Sequence, residues 1–127
     1  MDGRKKERNK KYNLEERLIN FAVMVIDLVE SMPNTKAANH LAGQLLRSGT
    51  SPALNYGEAQ SGESRNDFIH KIKVVLKELR ESLVCLKIIY KGKLFTSEEK
   101  VLITLKETDE LVAIFVTSTK TAESNRK

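Results

Sequence analysis

The sequence predicts an all-α protein, an antiparallel up-down-up-down four-helix bundle whose second helix is kinked near Pro52. Two observations lead there. Apolar residues recur at steps of three and four along four separate segments, and no useful length alternates with period two. Short connections join the segments, which folds consecutive helices back against one another.

The first helix places Leu14, Leu18, Phe21, Val25, Leu28 and Met32 on one face. Asn13 is placed to cap it, with Glu16 as its capping-box partner. Pro33 and Asn34 end it. The second stripe runs through Ala37, Leu41, Leu45, Ser48, Pro52, Asn55 and Ala59. Gly43, Gly49, Pro52 and Gly57 all weaken a helix interior, and small residues kept at that cost point to close helix–helix approach. Pro52 lacks an amide hydrogen and crowds the carbonyl of Ser48, hence the expected kink. The competing reading is a loop, with a new helix beginning near Pro52.

The third stripe, Phe68, Ile72, Leu76, Leu79, Leu83, Leu86 and Tyr90, starts after Ser64. It stops at Gly92, expected to be the left-handed C-terminal residue. The fourth runs through Val101, Leu105, Thr108, Val112 and Phe115, with Thr96 and Glu99 as its expected capping box. The bundle is thus expected over 13–119, between a basic disordered tail at 1–12 and a frayed tail at 120–127.

A chain of 127 residues with 40% hydrophobic and 31% charged side chains suits one soluble globular domain, not a disordered or membrane protein. Its net charge of +5 is unevenly placed. Arg4, Lys5, Lys6, Arg8, Lys10 and Lys11 make the first thirteen residues +4. Residues 65–93 carry +5 and residues 94–119 carry −3, so the body is nearly neutral but polarised. At about 100° per residue, Lys73, Lys77, Arg80, Lys87 and Lys91 form one stripe beside the apolar face of the third helix, interrupted by Val84. This stripe and the tail are the candidate phosphate contacts. Aromatic residues are only 6% of the chain, so base stacking has little support.

Several chemistries lack their parts. A lone Cys85 excludes an internal disulfide framework and a cysteine-based zinc site, and its apolar setting favours a structural thiol. A di-iron bundle needs two Glu-x-x-His pairs, whereas only Asp67-x-x-His70 is present. Ser48 and Ser51 lack a nucleophile elbow, and Gly49, Gly57 and Gly62 match no phosphate loop. Ser48, Asn55 and Glu58 form an inward-facing polar set, better read as a register-fixing network than as an active site. No enzyme, metal or cofactor is therefore expected. The longest apolar run, Phe21 to Ile26, is too short to span a bilayer, and the N-terminus has no secretory pattern. A cytoplasmic protein with no membrane partner is expected. Ile69, Val74, Val75, Val84, Ile88 and Ile89 exceed one bundle seam on the third helix, which points to a partner interface.

The segment Gln44-Leu-Leu-Arg-Ser-Gly-Thr-Ser-Pro-Ala-Leu-Asn-Tyr-Gly-Glu-Ala-Gln60 is not generic bundle sequence, nor are Glu63-Ser-Arg-Asn-Asp-Phe-Ile-His-Lys-Ile-Lys73 and Leu76-Lys-Glu-Leu-Arg-Glu81. They closely resemble the bacterial four-helix-bundle family encoded in intervening sequences of large-subunit ribosomal RNA genes. That family also looks related to accessory variability proteins of diversity-generating retroelements. Pro52-Ala53-Leu54 departs from the usual Ile-Gly-Ala type, and Val84-Cys85 stands where an aromatic pair is common. The resemblance implies a homo-oligomer, a pentameric ring of bundles, associated with RNA. It also implies that Arg47, Ser48, Asn55, Glu58 and Asp67 are signature positions, read here as setting helix packing and subunit contacts. The expected function is non-enzymatic RNA binding. The alternative is a protein-interaction adaptor, such as an accessory subunit for a reverse transcriptase or another enzyme.

Overall fold

The computed structural model describes residues 13–62 and 64–125. Four helices account for almost all of them: α1 (Leu14–Ser31), α2 (Lys36–Gln60), α3 (Arg65–Lys91) and α4 (Glu98–Ser124), with no strand among the described residues. The expected tail at 1–12 lies outside the described residues.

Each helix packs against its neighbours in the chain, and α1 closes the bundle against α4. Across α1 and α2, Val25 faces Gly49 and Glu15 lies beside Gly57. Across α2 and α3, Ser48 meets Ser82 and Glu58 meets Lys71. Lys73 meets Glu123 and Tyr90 meets Glu98 across α3 and α4, while Asp27 meets Lys100 and Arg17 meets Glu107 across α1 and α4. In every pair one residue number rises as the other falls, which is the ordering of antiparallel neighbours. The helices α1 and α3 therefore stand diagonally, facing solvent on different sides.

Local chemistry sets the helix ends. Asn13 accepts the amide of Glu16 at 2.9 Å, and Ser64 accepts that of Asp67 at 3.1 Å. The α4 cap is Ser97, which accepts from Lys100, rather than Thr96. The Thr96 hydroxyl instead donates to the carbonyl of Ser31 at 2.6 Å, tying the α3–α4 connection to the end of α1. At the end of α3, Gly92 keeps a right-handed φ of −80°, and the left-handed residue is Lys93 at φ 55°. Leu94 donates to Ile89 and Lys93 to Tyr90, the two bonds of a Schellman motif. Helix α4 continues past residue 119 to Ser124, with Ala122 buried.

Pro52 lies inside a continuous α2, so the loop reading of this stretch is excluded. The small residues of α2 serve one close approach. A Cβ on Gly49 would meet the two Cγ atoms of Val25 at 2.7 and 2.8 Å, whereas one on Gly43 would meet nothing within 4 Å.

The core is built from Leu18, Phe21, Val25 and Leu28 of α1, Leu45 of α2, Ile72, Val75, Leu79 and Leu86 of α3, and Leu111 and Phe115 of α4. Full burial of each such side chain contributes roughly 1.5–3 kcal/mol. Tyr56 meets Phe115 edge-on, with ring centroids 5.7 Å apart. On α2 the buried residue of the first turns is Ala38, not Ala37. The buried face of α3 is also rotated from the expected stripe. Ile69, Val75, Ser82, Cys85 and Ile89 are buried, while Phe68, Leu76 and Leu83 are only half-buried and Tyr90 is exposed. Three of the six residues read as surplus are thus core, and only Val84 and Ile88 remain exposed.

Candidate nucleic-acid interface

The α2–α3 seam holds most of the signature positions. Arg47 bridges two acids one turn apart on α3, donating to Glu78 at 3.0 Å and also to Glu81. Glu78 is buried although charged, so Arg47 supplies the compensation that a buried carboxylate needs. Beside it, the Ser82 hydroxyl donates to Ser48 Oγ at 2.8 Å with both side chains fully buried. Ser48 points its own hydroxyl at the carbonyl of Leu45, at 3.4 Å.

The expected inward polar set does not converge. Asn55 bonds within its own helix, donating to the carbonyl of Ser51 at 3.0 Å and to its hydroxyl at 2.8 Å. Glu58 is exposed rather than inward-facing and pairs with Lys71. Asp67 is exposed in the first turn of α3, where a carboxylate suits the positive end of the helix dipole. Cys85 lies near Arg47 in a dry setting. Burial pushes its thiol above the ordinary value of 9.0, and the opposing pull of Arg47 is smaller. A thiol held in that form is a poor nucleophile.

The basic stripe lies on the solvent side of α3, toward α4. Lys73 pairs with Glu123 at 2.9 Å. Lys77, Arg80, Lys87 and Lys91 are exposed, and none of them forms an ion pair among the described residues. Val84 sits among them at 57% exposure and Ile88 beside them at 48%. The tail candidates Arg4, Lys5, Lys6, Arg8, Lys10 and Lys11 lie outside the described residues.

The acids of α4 are partly committed inside the chain. Glu107 and Glu110 both clamp Arg17 of α1 at 2.9 Å. The hydrogen bond that Arg17 donates to Glu107 is the largest cause that raises the Arg17 pKa above its ordinary value. The sequence reading missed both Arg17 and Glu78, because each depends on which residues of a neighbouring helix stand opposite. Among the described residues, no three His, Cys, Asp or Glu side chains are placed to hold a metal ion, and no helix is long and apolar enough to cross a membrane.

Comparisons with known proteins add an independent result. A family model described as 23S rRNA-intervening sequence protein matches residues 10–117. A crystal structure of a protein with unknown function from the S23 ribosomal protein family of Bacteroides thetaiotaomicron VPI-5482 superposes with a TM-score of 0.76. It is 27% identical, and the match covers 84% of this chain and 97% of that one. No curated protein matches the chain.

Proposed function

The chain belongs to the 23S rRNA-intervening sequence protein family, and from that footing we propose that it is a non-enzymatic, homo-oligomeric bundle that binds RNA in the cytoplasm. The observation that carries this reading is the run of exposed cations Lys77, Arg80, Lys87 and Lys91 along one face of α3, none ion-paired among the described residues. Four cations within about 21 Å of helix make a phosphate-binding strip. The tail adds +4. Repetition of both around a ring, with five copies as the favoured number, multiplies weak contacts into useful avidity.

Binding of this kind is electrostatic and tolerant of sequence. A structured RNA titrated with the full chain should lose affinity linearly in log salt, with a slope of about −0.9 per phosphate neutralised on duplex and −0.7 on single strands. Replacing the six tail cations by Gln should make the slope shallower. Absence of binding at low salt would overturn the reading.

A second reading is favoured by Val84 and Ile88, aliphatic residues exposed within and beside the cations. In it the α3 face docks an acidic protein surface, such as that of a reverse transcriptase or another enzyme. Retention of a partner after nuclease treatment would support that adaptor role over direct RNA binding.

A further inference from the structure

The outer face of α1 carries a stripe at steps of three and four: Glu16, Ile19, Val23, Ile26 and Glu30. Its three aliphatic residues are 43%, 58% and 42% exposed. Three large aliphatic side chains in a row on one solvent face are unusual for a free surface. An acid closes the stripe at each end. On the diagonal helix, Lys77, Arg80, Val84, Lys87 and Lys91 repeat the same three–four spacing with the opposite charge, and Ile88 widens the aliphatic centre.

We propose that the α1 stripe of one copy docks on the α3 stripe of a second copy, a heterologous contact that rests on the homo-oligomer reading above. The aliphatic centre of α1 covers Val84 and Ile88, and the terminal acids Glu16 and Glu30 meet the flanking cations of α3. The match in length follows from the shared spacing, since each stripe covers fourteen residues of rise, about 21 Å. Charge selects this pairing over its rivals. Two α1 stripes packed antiparallel place Glu16 of each copy against Glu30 of the other, and two α3 stripes set Lys and Arg against Lys and Arg. An α3–α4 contact between copies has fewer acids to offer, because Glu107 and Glu110 are already held by Arg17.

Geometry sets the kind of assembly. The two stripes are different surfaces, so each copy offers one of each and the contact propagates from copy to copy. The α3 stripe leans toward α4, where Lys73 reaches Glu123. Glu16 and Glu30 are fewer than the cations they meet, which leaves a basic rim for phosphate.

Two single-face variants test this by sedimentation velocity on the full chain. Val23→Glu spoils the α1 stripe, and the double variant Val84→Glu/Ile88→Glu spoils the α3 stripe; all three positions are exposed, and unchanged helical circular dichroism checks the fold. Each variant alone should fall from the wild-type mass to 14.4 kDa. Mixed together, they retain one intact stripe of each kind and should form a one-to-one dimer and nothing larger. An assembly kept by the α3 variant but lost by V23E would overturn the proposal in favour of α1 packing on itself. An α3 variant that assembles normally would overturn it, because the contact between copies would then not use Val84 and Ile88. A wild-type monomer would instead remove the homo-oligomer reading on which the proposal stands.

Discussion

Ser82 of α3 donates its hydroxyl to Ser48 of α2 across 2.8 Å, in a seam where neither side chain reaches solvent. Two small hydroxyls facing each other let the helices approach and define their register at one level. Just beside them, Arg47 spans Glu78 and Glu81. Polar groups here hold one helix against another, and their removal has consequences that depend on what is left behind.

Removing Ser48 strands the Ser82 hydroxyl, while removing Ser82 takes from Ser48 the bond it accepts and leaves the one it donates to Leu45. Ser48→Ala or Ser82→Ala should each cost about 1–2 kcal/mol, while the double variant should cost less than the sum because no lone buried hydroxyl remains. Urea unfolding of the four proteins in the cycle measures the coupling.

The Arg47 bridge is less symmetric. Arg47 is half exposed, while the Glu78 side chain is mostly buried. Arg47→Met should destabilise by roughly 2–4 kcal/mol, since it leaves a buried carboxylate without its partner. Adding Glu78→Gln to that variant should recover part of the loss in the same unfolding assay.

Glycines of α2 divide by what faces them. Gly49→Ala drives a methyl into Val25 and should cost about 1–3 kcal/mol. The clash should be relieved in Gly49→Ala/Val25→Ala more than additivity predicts. Gly43→Ala meets open space and should gain about 0.5–1 kcal/mol from helix propensity. Thermal melts of the three variants separate these effects.

Lys93 holds the left-handed position that closes α3. Lys93→Gly should raise stability by about 0.5–1 kcal/mol, because glycine adopts this backbone without a Cβ penalty. A lower melting temperature in that variant would mean that the lysine side chain contributes more than the backbone strain costs.

Alkaline pH should expose the buried thiol. Cys85 has its pKa raised, chiefly by burial, so the folded state favours the protonated form. Its contribution is complete below the ordinary value of 9.0 and is lost as pH rises through the folded value. Melting temperature should therefore fall less between pH 8 and pH 10 in Cys85→Ala than in the parent chain. Tyr56, also raised mainly by burial, adds its own loss at higher pH in both proteins.

Some of this architecture can be read directly from residue order. The inner face of α1 is legible in the spacing of Leu18, Phe21, Val25 and Leu28, and Asn13 and Ser64 are hydroxyl or amide caps with no rival beside them. Helix α3 is different. Apolar residues occupy so many positions between Phe68 and Tyr90 that two stripes fit the same period, and only packing against α2 and α4 chooses the one through Ile69, Val75 and Ile89. Thr96 and Ser97 are adjacent hydroxyls, and the choice between them is made by Ser31 at the far end of α1. Glycine preference points to Gly92, yet the bonds from Lys93 and Leu94 place the left-handed turn one residue later. The outer stripe of α1 was hidden because Ile19, Val23 and Ile26 look like further core until the opposite face is seen to be full.

Sedimentation of a labelled structured RNA with the full chain at low salt checks whether a multi-copy bundle acts on RNA. RNA should travel with a protein mass several times 14.4 kDa and be released as salt rises. RNA that sediments alone at low salt, or with a single copy of the chain, would contradict it.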